Sequence, residues 1–129
     1  MKKLDKESVI GVSALLVHAA KIDEIYSDHE KDLVKDFIRS YLLDYDTNEI
    51  LKKAEELEMN SNQLLNYTNI IKNNSIEIKK DIIEHLWKVI ISDKTIDQYE
   101  SNLMRRICGL IYFPDKESAE IKLKLINKK

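Results

Sequence analysis

One stretch of this chain is written twice, and that repeat limits what the chain can fold into. Residues 16–38, LVHAAKIDEIYSDHEKDLVKDFI, align with residues 86–108, LWKVIISDKTIDQYESNLMRRIC, at an offset of 70 positions. Leu16 falls on Leu86, Asp23 on Asp93, Ser27 on Asp97, Glu30 on Glu100 and Leu33 on Leu103. Val34, Phe37 and Ile38 fall on Met104, Ile107 and Cys108, so apolar positions meet apolar positions. Their three- and four-residue steps are the period of a helix face. Each copy reads helix, short acidic loop, helix, with Asp-x-x-x-[Ser/Asp]-x-x-Glu across the loop.

Composition agrees with a helical reading. Two glycines and one proline in 129 residues are too few for a turn-rich β architecture, and no segment alternates apolar and polar residues for long. Hydrophobic residues at 43% and charged residues at 34% make a globular mixture able to bury a core. The expectation is one domain over residues 1–129, with repeat units at about 9–43 and 76–113. A net charge of −2 gives no bulk attraction to nucleic acid. The lone Cys108 leaves no internal disulfide and fits a reducing, cytoplasmic compartment. The apolar run 14–20 is broken by His18 and is too short to span a bilayer.

The spacing predicts about seven helices, an all-α fold. The first runs from Asp5 or Lys6 to about Ile22 with Val9, Val12, Leu15, Leu16, Ala19 and Ile22 on one face, and Gly11 placed for a close helix contact. Ser27 starts the second, whose inward stripe is Leu33, Val34, Phe37, Ile38, Tyr41 and Leu42. Thr47 is read as the N-cap of a third helix, whose thin apolar side (Ile50, Leu51, Ala54, Leu57) predicts a peripheral place. Asn60-Ser61 caps a fourth, which Asn73-Asn74 stops because asparagine tolerates the left-handed backbone. The fifth opens at Ser75 or Ile76 and carries Ile78, Ile82, Leu86, Val89 and Ile90. The sixth starts at Asp97 and is expected to end or bend at Gly109, with 110–113 as an apolar connector. Pro114 or Asp115 opens the seventh, with Ala119, Ile121, Leu123, Leu125 and Ile126 as its stripe.

Within the repeat, Ser27-x-x-Glu30 and Asp97-x-x-Glu100 have the spacing of capping boxes, in which the first residue accepts from the third amide and the glutamate reaches back. Capping leaves Asp23 and Asp93 unexplained, since each stands at the end of a helix, where a negative charge is unfavourable. A pseudo-twofold packing of the two helix pairs would set the loops side by side. Asp23, Glu24, Asp28, Glu30, Asp93, Asp97 and Glu100 would then form one acidic surface, suited to a basic protein partner. Asp23, Glu30, Asp93, Asp97 and Glu100 are also candidate ligands for calcium or magnesium, hard ions that take several oxygens. The spacing is not that of an EF-hand.

The remaining chemistry-bearing residues read as structural. His18, His29 and His85 lack metal-ligand spacing. The tyrosines, Trp87 and Cys108 read as packing residues, and no nucleophile–base pair or glycine-rich phosphate loop is present. An enzyme is therefore not expected. Lys79-Lys80 beside Asp81, and Lys52-Lys53 before Glu55-Glu56, read as solvated faces. Lys116, Lys122, Lys124, Lys128 and Lys129 among Ile121, Leu123, Leu125 and Ile126 make the last helix basic and fairly apolar, which predicts packing onto the domain, with peripheral contact to a membrane surface or a partner as the alternative.

These residues carry a family resemblance. Ile22-Asp23-Glu24-Ile25-Tyr26-Ser27-Asp28-His29-Glu30 and Ser92-Asp93-Lys94-Thr95-Ile96-Asp97-Gln98-Tyr99-Glu100 resemble the duplicated loop of the TerB-like (tellurite resistance protein B) family, ADG-x-[IL]-[SD]-x-x-E. Leu86-Trp87-Lys88-Val89 is similar to the family's leucine-tryptophan-arginine-valine stretch, and the resemblance spans about Val9 to Ile126. It implies a cytoplasmic all-helical domain with pseudo-twofold halves and an acidic cluster from the paired loops. It also implies a link to tellurite resistance and stress responses, protein partners at the inner membrane face and no catalytic mechanism. The chain departs from the family at the loop glycine, which is Glu24 in one copy and Lys94 in the other. Lys94 sets a cation among the acids, where it can act as counter-ion to Asp93.

Overall fold

The computed structural model describes residues 4–21, 26–61, 65–91 and 98–127. Among these residues seven helices follow one another: α1 Lys6–Ala20, α2 Asp28–Tyr41, α3 Thr47–Asn60, α4 Leu65–Ile71, α5 Ile76–Ile91, α6 Gln98–Ile111 and α7 Asp115–Asn127. No strand occurs among the described residues. The all-α expectation holds.

α1 is the central element. It is capped by Asp5, whose carboxylate accepts from the Ser8 amide at 2.7 Å. Beyond its first turn it is buried nearly all round, with Val9, Val12, Ala14, Leu15, Leu16 and Val17 sealed from water. A helix apolar on every side belongs inside, and α2, α3, α4 and α5 all pack on it. Gly11 faces the Ile70 side chain of α4 so closely that a β-carbon would strike its terminal methyl. That is the close contact the glycine predicts. α5 is the second buried helix, through Ile78, Ile82, Ile83, Leu86, Trp87, Val89 and Ile90, and α7 lies along it.

Several boundaries differ from expectation. Asp46, not Thr47, caps α3, its carboxylate accepting from the Asn48 amide at 3.0 Å. α3 is not peripheral: Ile50, Leu51 and Ala54 are buried and the helix packs on α1 and α2. Three residues suffice because α1 offers an apolar surface on that side. Ser61 is the C-cap of α3, and the described part of α4 begins only at Leu65. Asn74 does stop α4, through its side-chain amide donating to the Ile70 carbonyl at 2.8 Å. It does not use the left-handed backbone, for Tyr112 holds the one positive φ among the described non-glycine residues.

Gly109 neither ends nor bends α6, which runs two residues further to Ile111. Tyr112 takes φ 60° instead, and the Phe113 amide donates back to the Cys108 carbonyl at 2.9 Å. This is the six-to-one bond of a Schellman ending. Tyr112 is left 72% exposed while Phe113 turns into the core. On α7, Ser118 and Ile121 face inward and Leu125 is half-buried, whereas Ala119 is exposed and Leu123 is 56% exposed. The buried Ser118 hydroxyl has a purpose there: it accepts from Trp87 Nε1 at 2.9 Å.

Candidate functional site

The repeated loops meet the described structure at the start of α2. Ser27 adopts an extended backbone and caps the helix, its Oγ accepting from the Glu30 amide at 3.1 Å. Glu30 reaches back, so that its Oε1 accepts from the Ser27 amide at 2.8 Å and from the Ser27 hydroxyl at 3.2 Å. The predicted capping box is therefore formed in the first copy. Its glutamate is not a surface residue. Glu30 is fully buried, and its Oε2 has no hydrogen-bond partner among the described residues. Asp28, one residue into the helix, is exposed.

The other predicted residues stand differently. Asp23, Glu24, Asp93 and Asp97 lie outside the described residues. Glu100 lies in the first turn of α6, but its side chain is outside the described set. No group of three acidic, histidine or cysteine side chains placed to hold a metal ion occurs among the described residues.

Around Glu30 the fold assembles residues that no local motif announces. The Tyr26 hydroxyl donates to Glu55 Oε2 of α3 at 2.7 Å. Burial first, then that hydrogen bond, then the charges of Glu55, Glu30 and Glu58 push the phenol well above its ordinary value. Tyr26 is thus a fixed neutral donor, and its ring is flanked by Lys31 at 5.1 Å and Lys21 at 5.9 Å. Lys21 also pairs with Glu58 at 2.8 Å, and His18 Nδ1 lies 3.4 Å from the same carboxylate. Glu58 is only 12% exposed in its side chain, and Glu55 is half-buried. The solvated-face reading therefore fails for Glu55, and on α5 it fails likewise for Lys79, which is buried, and for Asp81, which is half-buried. The available signal is the helical step Leu51, Ala54-Glu55, Glu58, which ranges both glutamates beside the buried stripe.

The ends of α1, α2 and α3 thus gather three carboxylates, Glu30, Glu55 and Glu58, around one phenol. Glu55 has a donor and Glu58 has Lys21 with the His18 ring beside it, while Glu30 has one oxygen satisfied and one without a partner among the described residues. No helix of the described residues is long and apolar enough to cross a membrane.

The model of one protein family, described as tellurite resistance protein TerB, matches residues 9–123 of the chain. No curated protein and no solved structure matches it.

Proposed function

Because the chain belongs to the tellurite resistance protein TerB family, we propose that it is a non-enzymatic helical module that docks a basic protein partner through the acidic surface of its two repeated loops. The setting is a tellurite-resistance-related stress response in the cytoplasm, with any attachment to the inner membrane face made through that partner. The observation that carries the reading is Glu30. A buried carboxylate oxygen with no donor among the described residues costs free energy that a positive charge from beyond them would relieve. Capping needs only the other oxygen, so the second is surplus to the local structure. Exposed Asp28 adds charge at the same helix start.

The burial of that oxygen favours a second reading, in which the positive charge is a calcium or magnesium ion held by Asp23, Glu30, Asp93, Asp97 and Glu100. A small ion reaches a buried oxygen more easily than a lysine on a partner does, and hard ions take carboxylate oxygens.

One variant separates these readings from a purely structural role. Glu30→Gln keeps a capping-box side chain, since glutamine reaches back as glutamate does, but removes the charge. In chelated buffer, without partner, it is expected to melt higher than wild type. A lower melting temperature would mean that the domain already neutralises Glu30, which overturns the proposal. Calcium or magnesium at a hundred times its dissociation constant should then stabilise wild type by about 2.7 kcal/mol and leave Glu30→Gln and Asp23→Asn/Asp93→Asn unmoved. If no ion acts, the partner reading requires a basic partner, captured from lysate by wild type and identified, to be lost with both variants. Equal retention by both would refute it.

A further inference from the structure

Between α2 and α5 lies a half-buried ionisable cluster that the proposed function does not use. The Tyr41 hydroxyl of α2 donates to Asp81 Oδ2 of α5 at 2.7 Å. His85, one turn further along α5, has its Nε2 3.7 Å from Asp81 Oδ1, too long for a hydrogen bond. Its ring and that of Phe37 meet in a T-shaped contact, 5.2 Å between centroids and 74° between planes, and Phe37 in turn packs on Tyr41 at 5.0 Å. Phe37 is fully buried. The side chains of His85 and Asp81 are 12% and 16% exposed. Within the apolar packing of α2 on α5, the stretch from Phe37 to Tyr41 thus meets α5 in an aromatic contact at the His85 ring and a hydrogen bond at Asp81.

We propose that Tyr41, Asp81 and His85 form an acid-released clasp, in which protonation of His85 loosens the last turns of α2 from α5. A neutral imidazole suits this place and an imidazolium does not. Charging the ring removes most of a cation from water, since the His85 side chain is only 12% exposed, and Asp81 compensates poorly because Tyr41 already holds one of its oxygens and the other stands 3.7 Å away. The further charges facing the ring are Glu84 and Lys88 of α5, which pair with each other at 3.5 Å, and Asp36 of α2. Burial pulls the His85 pKa below its ordinary value, and Lys88 adds to that, while Asp81, Glu84 and Asp36 oppose. The sign follows. The unfolded or released ring binds its proton first, near pH 6.5, and the packed ring only at lower pH. The clasp is therefore at full strength above about pH 6.5, and its hold declines as pH falls from there to the lowered native value.

The test is ring NMR of His85 on the full chain, with amide hydrogen exchange of 37–41 at pH 7.5 and 5.5, corrected for intrinsic rates. His85 is expected to titrate below 6.5, and protection of 37–41 to fall severalfold at pH 5.5. The linkage ceiling one unit below 6.5 is about tenfold. α7 should keep its protection. His85→Gln should abolish the pH effect, whereas His18→Gln and His29→Gln should retain it. Tyr41→Phe, which removes that hydrogen bond from Asp81, should raise the His85 midpoint even if His85→Gln folds poorly. A midpoint at or above 6.5, an equal loss throughout the chain, a loss that survives in His85→Gln, or an unmoved midpoint in Tyr41→Phe would each overturn the clasp.

Discussion

Replacing Ser118 by alanine removes one oxygen from the seam between α5 and α7, and the structure allows its cost to be worked out. Trp87 Nε1 donates to Ser118 Oγ at 2.9 Å, with both residues only 4% exposed. Water cannot replace the lost acceptor, so the indole N–H bears its desolvation cost, about 1–3 kcal/mol. Alanine returns roughly 0.5 kcal/mol of helix propensity in α7, and one missing oxygen leaves little cavity. The net loss is about 1–2 kcal/mol. For 129 residues the unfolding entropy near 60 °C is about 0.27 kcal/mol/K, so the melting temperature should fall by roughly 4–7 °C.

Thermal melts followed by circular dichroism and by the fluorescence of Trp87, the sole tryptophan, would read this directly. The sharper measurement is the double-mutant cycle with Trp87→Phe, which removes the N–H donor. Trp87 also carries the Lys122 ammonium 5.2 Å from its ring centroid, so Trp87→Phe costs packing of its own. Only the coupling reports the hydrogen bond. It should be about 1 kcal/mol, with Ser118→Ala nearly harmless in the Trp87→Phe background. Effects additive within about 0.3 kcal/mol would show that the two groups do not act together and would refute the argument.

Tyr112→Gly should raise the urea midpoint: the left-handed conformation costs a side-chain-bearing residue about 1–2 kcal/mol and glycine's extra freedom returns part of that, for a net gain of about 0.5–1 kcal/mol. Little packing is lost, because Tyr112 is 72% exposed. Gly11→Ala sets about 1 kcal/mol of helix propensity against displacement of the half-buried Ile70 methyl, so urea unfolding should place it within about 1 kcal/mol of wild type. Gly11→Leu overfills the same contact and should lose roughly 1–3 kcal/mol. Cys108 should resist iodoacetamide at neutral pH until the chain is denatured, because burial both shields the thiol and raises its pKa; rapid alkylation of the folded protein would contradict that packing.

What the sequence makes legible here is local. The helices declare themselves through apolar residues three and four apart, and the Schellman ending escapes notice because a tyrosine, not Gly109, takes the left-handed position. That α1 is wrapped on all sides, and that α3 lies against it, depends on where distant segments come to rest. The same holds for the polar pairs: Tyr26 with Glu55, His18 with Glu58, Tyr41 with Asp81 and Trp87 with Ser118 lie 29, 40, 40 and 31 residues apart. No period or motif links such partners, because the helices that bring them together are steered by apolar burial, which carries no mark of which polar groups will meet.

Glu30 shows where the two kinds of information divide. Its spacing from Ser27 predicts a capping box, and the box accounts in full for Oε1. Were Glu30 a surface residue, water would satisfy Oε2 and capping would be a complete explanation. Burial removes that explanation: a shell formed by other parts of the chain seals an oxygen that the local motif does not need. The same structural requirement could be met by glutamine, which reaches back without a charge. A carboxylate retained in that place therefore asks for positive charge from beyond the described residues, and the case for a site at these loops rests on that surplus and not on the motif by which the sequence announces it.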